Sequence, residues 1–90
     1  MAIDFTYSKH ALTRMDQRGI TKDQINFVLR NPDSIVDQTD KNNGYHIYQA
    51  VLESETKKGN NYLLRVFINT DKTPKLVITA YKTSKIEKYL

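Results

Sequence analysis

One segment of the chain, residues 10–20 with the sequence His-Ala-Leu-Thr-Arg-Met-Asp-Gln-Arg-Gly-Ile, contains residue types whose spacing suggests chemistry. On an α-helix, at about 100° per residue, His10, Arg14 and Arg18 fall within about 80° of one another, with Gln17 beside them. An imidazole titrates near neutrality, and a guanidinium binds phosphate through paired hydrogen bonds. These three residues, called the basic stripe below, therefore predict a surface that holds an anion.

A second group of polar residues lies near the C-terminus. It is the run 79–89, which contains hydroxyls, phenols and three lysines within eleven residues. Cleavage of RNA without a metal needs a base for the 2′-OH proton, cations for the charge on the phosphorus oxygens, and an acid for the leaving 5′-oxygen. Arg65 adds another permanent cation in the preceding apolar run. The sequence thus contains every type of group that such a site requires.

Each of these residues also has a purely structural interpretation. His10, in the first turn of a helix, could hydrogen-bond a nearby carbonyl. Arg14 and Arg18 could form surface ion pairs, and Tyr81 could be half-buried packing in a strand. Composition does not distinguish the chemical interpretation from the structural one. The positions of these residues in the fold are needed to decide between them.

The elements that position these residues begin with two short helices. Ser8 is a suitable N-cap for a helix over 10–18, and Gly19 is suited to the left-handed residue that ends it. Thr21 and Gln24 form a capping-box pattern for a second helix. This helix is expected to end at 31–32, because proline disfavours helical geometry in the residue before it.

Beyond residue 32 the pattern changes to the two-residue alternation of strands, over 34–38, 45–53, 62–69 and 75–83. Short polar turns at 42–44, 59–61 and 71–74 separate these runs and favour antiparallel neighbours. We therefore predict a single α+β domain over 1–90, with two N-terminal helices packed on one face of a four-stranded antiparallel sheet.

The alternation also predicts which residues share a face. The row of Tyr62, Leu64, Val66 and Ile68 is expected to be core, with Leu76, Ile78 and Ala80 beside it. Arg65, Thr79, Tyr81 and Thr83 then lie on the face away from the helices. A helix end that overhangs the sheet edge could bring His10 over Tyr81, and otherwise the two groups form separate surfaces.

Composition narrows the class of protein. The 90 residues contain no cysteine, so disulfides and thiolate metal sites are excluded. Two histidines do not complete a zinc site, and no metal or cofactor is expected.

The formal charge of +4 favours a polyanionic or an acidic protein partner. No apolar run is long enough to span a membrane, and we expect a cytoplasmic protein without membrane contact.

The motif His-Ala-x-x-Arg-Met-x-x-Arg-Gly-Ile, with Ile-Thr-Ala-Tyr at 78–81 and the terminal Lys-Tyr, resembles a small family of uncharacterised bacterial domains. That family is grouped with the RelE/ParE-like toxins in the barnase, EndoU, colicin and RelE (BECR) superfamily. The resemblance covers 8–89 and implies a RelE-like fold and a metal-independent endoribonuclease, often the toxin of a toxin–antitoxin pair. It matches His10, Arg14 and Arg18 in the helix, and Arg65 more loosely. In the closing strand and tail it matches Thr79, Tyr81, Thr83, Lys88 and Tyr89.

We therefore expect a bacterial toxin that cleaves RNA by 2′-OH attack. His10 is the expected acid or base, Arg14, Arg18 and Arg65 bind phosphate, and Tyr81 positions the nucleotide or donates a proton. Thr79, Thr83, Lys88 and Tyr89 are expected to bind the substrate. Expected partners are RNA, a cognate antitoxin or immunity protein, and the ribosome. Two alternatives stay open: a non-catalytic module that binds an acidic protein or nucleic acid through its basic helix face, and a ParE-like toxin directed at gyrase.

Overall fold

A computed structural model describes residues 5–37, 45–53, 61–71 and 74–90. The predicted turns at 42–44, 59–61 and 71–74, and the predicted strand end at Gln38, lie wholly or partly outside these ranges. No helix in the described ranges is long and apolar enough to cross a membrane. In chain order the elements are β1 (Phe5–Tyr7), α1 (Lys9–Arg18), α2 (Lys22–Arg30), β2 (Ser34–Asp37), β3 (Tyr45–Glu53), β4 (Asn61–Asn69), β5 (Lys75–Thr83) and α3 (Ile86–Tyr89).

The two long helices begin and end at the residues that the sequence predicts. The Ser8 hydroxyl accepts a hydrogen bond from the Ala11 N–H at 2.9 Å, and Gly19 ends α1 in the left-handed region with φ 65°. Thr21 and Gln24 form the reciprocal capping box of α2, at 3.1 and 3.0 Å. These caps satisfy backbone N–H groups that a helix start leaves without partners, which is why both helices begin sharply.

The sheet has five strands in the order β1-β5-β4-β3-β2. Strands β2 to β5 form the predicted antiparallel meander. The prediction of four antiparallel strands is wrong in one respect, because β1 adds a fifth strand parallel to β5 at the sheet edge. Three residues are too few to show an alternation, and the pairing of β1 depends on distant residues of β5. The short helix α3 was also not predicted.

The main core lies between α1, α2 and one face of the sheet. Leu64, Val66 and Ile68 are fully buried, as the alternation along β4 predicts. Ala11 and Met15 of α1 pack against them, together with buried residues of α2. Burying one such aliphatic side chain stabilises the fold by about 1.5–3 kcal/mol, so this face of the sheet fixes the register of the whole meander.

A β-bulge in β5 corrects the predicted core row of that strand. Phe67 pairs with Thr79 while the next residue, Ile68, pairs with Val77, so Ile78 is an extra residue in β5. Val77 is therefore fully buried in the core, whereas Leu76 and Ile78 are only half-buried. Strict two-residue alternation predicts that Leu76 and Ile78 lie in the core, and this prediction is wrong. The bulge shifts the faces by one residue and leaves no mark in the local sequence pattern.

Candidate functional site

The sheet face opposite α1 and α2 brings together the polar residues that the sequence singled out on β4 and β5. Arg65 pairs with Tyr81, and Thr79 and Thr83 stand opposite Phe67 and Leu63. The prediction that Arg65, Thr79, Tyr81 and Thr83 share this face is confirmed by the register. The bulge lies at Ile78, before these residues of β5, so the two-residue alternation from Thr79 to Thr83 is regular.

Arg65 is the centre of this face. It is only 8% exposed, although it carries a permanent charge. Its Nε donates to Oε1 of Gln49 at 2.8 Å, and its Nη1 donates to the hydroxyl of Tyr81 at 2.5 Å. Both partners are neutral. Gln49 is itself fully buried and lies directly across the ladder from Arg65 on β3.

Three aromatic rings surround the guanidinium of Arg65. Its Cζ lies 4.0 Å from the ring centre of Tyr89, 5.5 Å from that of Phe67 and 5.6 Å from that of Tyr81. The rings of Phe67 and Tyr81 are stacked, with centres 5.8 Å apart and planes 29° from parallel. The negative ring faces stabilise a cation without neutralising it.

The helix α3 brings the C-terminal residues onto the same face. The Lys85 N–H donates to the Thr83 hydroxyl at 3.1 Å where the chain leaves β5. Gln49 then holds the end of α3, because its Nε2 donates to the Tyr89 carbonyl at 3.1 Å. Tyr89 therefore covers Arg65, whereas Lys88 stays exposed with its Nζ 5.5 Å from the Tyr89 ring centre.

The charge of Arg65 has no counter-charge in the described part of the chain. No aspartate or glutamate there forms an ion pair with it. Its third nitrogen, Nη2, makes no hydrogen bond to a described residue, and no buried side-chain nitrogen or oxygen among these residues lacks a partner. Nη2 must therefore reach solvent. A buried cation with one donor open to solvent and only neutral neighbours is suited to bind an anion.

The two phenols beside Arg65 have pKa values displaced in opposite directions. Burial raises the pKa of the Tyr81 phenol, and its hydrogen bonding with Tyr89 raises it further, against the opposing effect of Arg65. The hydrogen bond with Tyr81 lowers the pKa of Tyr89; the charges of Lys88 and Arg65 also lower it, whereas partial desolvation opposes the change. Opposite displacement of two adjacent groups suits one to accept a proton and the other to donate one.

One residue of the basic stripe, Arg18, reaches the edge of β5. Arg18 donates from Nη1 to the Ala80 carbonyl at 2.8 Å, and the Ser8 hydroxyl donates to the Ile78 carbonyl at 2.9 Å. Carbonyls two residues apart in a strand point to the same side, and Ser8 directly follows β1, so this is the edge of β5 away from β4. The strand β1 pairs only with 75–77 of that edge.

The structure does not bring the whole stripe into the Arg65 cluster. His10 is exposed in the first turn of α1, and Arg14 donates to Oε1 of Gln17 at 3.0 Å. No hydrogen bond, ion pair or ring contact joins the stripe to Arg65 or Tyr81 within the described ranges. Of the three stripe residues, Arg18 is linked most directly to the cluster, because the carbonyl that it binds belongs to Ala80, the residue before Tyr81. The basic stripe thus lies on α1, and the Arg65 cluster lies on the face of the sheet opposite that helix.

Two residues of the cluster, Gln49 and Phe67, were not identified from the sequence. Gln49 interrupts the apolar run of β3, and an isolated amide in such a run signals a polar partner across the sheet. Phe67 gave no signal because a phenylalanine in a strand usually packs in a core. The two-residue alternation of β4 places it on the same face as Arg65, but only the structure shows that its ring is stacked on Tyr81.

The fold and this face together define an α+β protein with a buried arginine surrounded by aromatic rings on one face of its sheet. The profile of the family described as a domain of unknown function (DUF4258) matches residues 7–82, and the chain belongs to this family. The matched range includes the basic stripe, Arg65, Thr79 and Tyr81, and it ends before Thr83. No curated protein and no solved structure matches the chain.

Proposed function

We propose that this protein is a metal-independent endoribonuclease of RelE-like type, acting as a bacterial toxin in the cytoplasm. One observation carries the proposal: Arg65 is a buried cation with neutral partners, an open Nη2 donor and aromatic rings on several sides. An RNA phosphodiester supplies the missing negative charge, and its bases are flat enough to stack on the rings. The resemblance of the α1 and β5 motifs to RelE-related domains supports the same class of activity.

In the proposed reaction the 2′-oxygen attacks the adjacent phosphorus and the bond from phosphorus to the 5′-oxygen breaks, leaving a 2′,3′-cyclic phosphate. Arg65 stabilises the charge on the non-bridging oxygens. Tyr89, whose pKa is lowered, accepts the 2′-OH proton, and Tyr81 donates a proton to the leaving 5′-oxygen. Thr79 and Thr83, on the same face, position the nucleotide.

The basic stripe has a separate part in the proposal. Arg14, Arg18 and Lys88 bind phosphates that flank the scissile one, because these cations lie outside the Arg65 cluster, with Arg18 bound to the edge of β5 and Lys88 beside Tyr89. His10 remains the alternative acid or base. An RNA that crosses the edge of β5 would contact both groups, and an acidic antitoxin that covers the stripe would block this path.

The test is cleavage of a labelled RNA by the purified protein in EDTA, with analysis of the new ends. We expect 2′,3′-cyclic phosphate and 5′-hydroxyl ends, and no cleavage at positions that carry 2′-O-methyl groups. Tyr89→Phe is expected to slow cleavage about 10²- to 10⁴-fold, the usual contribution of one acid or base. If His10→Ala has this effect and Tyr89→Phe has none, the proton acceptor is His10.

A non-catalytic binding module is the second candidate, and the separation of the exposed stripe from the Arg65 cluster favours it. Such a protein binds RNA or an acidic protein in a salt-dependent way and leaves RNA intact. Inducible expression in bacteria separates the candidates further. Growth arrest with cyclic-ended RNA fragments supports the proposed nuclease, and the absence of both arrest and fragments contradicts it.

A further inference from the structure

Phe67 is an aromatic residue that the main core does not use. The half-buried aromatic residues that pack against that core include Phe5, Tyr7, Tyr48 and Tyr62, but not Phe67. It lies instead on the face opposite the long helices, between Ile47 of β3 and Thr79 of β5. Its side chain is half-buried, so part of it remains accessible to solvent.

Phe67 has a second aromatic ring and a cation beside it. Its ring is stacked on Tyr81, with centres 5.8 Å apart, and the Arg65 guanidinium lies 5.5 Å from its centre. A cation for the phosphate therefore stands beside a ring for the base. Phenylalanine has no polar group, so it can recognise a base only through its flat face. Stacking of this kind contributes to binding for every base, because each has a π-face.

We propose that Phe67 forms a base-stacking subsite, and that the substrate is single-stranded RNA. In a duplex both faces of a base are already stacked on neighbours, and freeing one costs unstacking energy. An unpaired base can lie on the Phe67 ring while its phosphate binds Arg65. The inference rests on the proposed function for the identity of the ligand, and it adds which form of RNA the site accepts and which residue selects it.

The experiment uses a short RNA with 2-aminopurine as its central base and 2′-O-methyl groups that prevent cleavage. Stacking quenches 2-aminopurine fluorescence, and the chain contains no tryptophan that would obscure it. The variants are Phe67→Leu, which keeps an apolar side chain without a ring, and Phe67→Tyr, which keeps the ring. Phe27→Leu is the matched control, because Phe27 is a 49% exposed phenylalanine on α2.

We expect the wild type, Phe67→Tyr and Phe27→Leu to quench the fluorescence. Phe67→Leu should lose most of the quenching and bind the single strand about tenfold more weakly, the effect of one lost stacking contact. Its affinity for inorganic phosphate should be unchanged, which shows that the fold and Arg65 are intact. A matching duplex should bind weakly and equally to wild type and Phe67→Leu.

The inference is overturned if Phe67→Leu quenches as the wild type does, or if the wild type binds duplex and single strand equally well. The cleavage assay is independent of this result, because the probe is not cleavable. Quenching that depends on Phe67 in a protein that never cuts RNA would reject the nuclease and retain the stacking subsite.

Discussion

Arg65 shows two properties that rarely occur together, burial and the lack of a carboxylate partner in the described part of the chain. Burying an unpaired charge costs free energy, and the neutral Gln49 and the aromatic rings offset only part of that cost. A glutamate in place of Gln49 would offset the charge more fully. With the neutral amide of Gln49 as its partner, the charge of Arg65 stays available to a ligand. Functional sites commonly have such arrangements, which lower the stability of the fold.

The first prediction tests this charge balance with Gln49→Glu. The new carboxylate would stand where Oε1 now lies, 2.8 Å from Nε of Arg65. We expect affinity for inorganic phosphate to fall at least about tenfold, because the cation is then neutralised internally. Titration calorimetry measures this. Gln49→Met removes the amide without adding a charge, and Asn26→Asp adds the same charge at an exposed position of α2. Equal affinity losses in Gln49→Glu and Asn26→Asp would contradict the prediction.

The second prediction concerns the phenol of Tyr89. Because the Tyr81 hydroxyl and the charges of Lys88 and Arg65 lower its pKa, phenolate should form below the ordinary tyrosine value of about 10 as pH rises. Ultraviolet absorbance of the phenolate follows this titration. The earliest step among the six tyrosines should disappear in Tyr89→Phe and move to higher pH in Tyr81→Phe. An unchanged earliest step in Tyr89→Phe would assign it to another residue.

At the scale of elements, α1 and β5 form the unit that places the stripe next to the cluster. Ser8 and Arg18 bind two carbonyls on one edge of β5, so both ends of α1 are attached to that strand. The left-handed residue Gly19 ends the helix directly after Arg18. A change in this helix end should therefore affect how firmly Arg18 meets the strand.

The third prediction is that Gly19→Ala lowers the free energy of unfolding by about 1 kcal/mol. Nothing lies within 4 Å of the position that a Cβ would take, so the cost arises from the φ of 65° alone. Urea denaturation measures it. Gly19→Asn should lose less, since asparagine tolerates this backbone region better. An equal loss in the two variants would show that the cost has another origin.

At the scale of the whole molecule, the charge of +4 and the distribution of cations around β5 predict binding governed by counterion release. Arg14, Arg18 and Lys88 lie outside the Arg65 cluster, so they should contribute affinity without contributing to the chemical step. The slope of the logarithm of the binding constant against the logarithm of salt concentration depends on the number of phosphate contacts, so the loss of one cation changes this slope by the share of one contact.

The fourth prediction is that Arg14→Gln reduces the salt slope of RNA binding by about 1, as expected for the loss of one phosphate contact. The cleavage rate at saturating RNA should be almost unchanged. Fluorescence anisotropy over a range of salt concentrations provides the slope. Arg30→Gln removes an equal charge from an exposed position of α2 and should leave the slope unchanged; the same reduction in both variants would indicate only a net-charge effect.

The sequence predicted the parts of this fold that local rules determine. Ser8, Gly19 and the capping box of Thr21 and Gln24 mark the helix ends directly. Two-residue alternation placed Arg65 and Tyr81 on one face correctly. These features depend on residues within a few positions of each other, or on a period that continues through a whole strand.

The features that sequence analysis missed depend on distant residues. The strand β1 is only three residues long and becomes a strand because β5 offers it an edge. The helix α3 is a single turn held by Gln49, 40 positions away from Tyr89. The bulge at Ile78 left no local pattern. The site could therefore be predicted as a set of residue types, but not as a cluster around Arg65.

The most direct test of the account is the single-turnover rate of RNA cleavage in EDTA by wild type, Arg65→Gln and Arg30→Gln. The account predicts that Arg65→Gln lowers the rate at least about 10²-fold, as expected when a group that stabilises the transition-state charge is lost. Arg30→Gln should cleave like the wild type, and the three proteins should have similar circular dichroism spectra. Wild-type cleavage with an equal rate in folded Arg65→Gln would contradict the central role of Arg65.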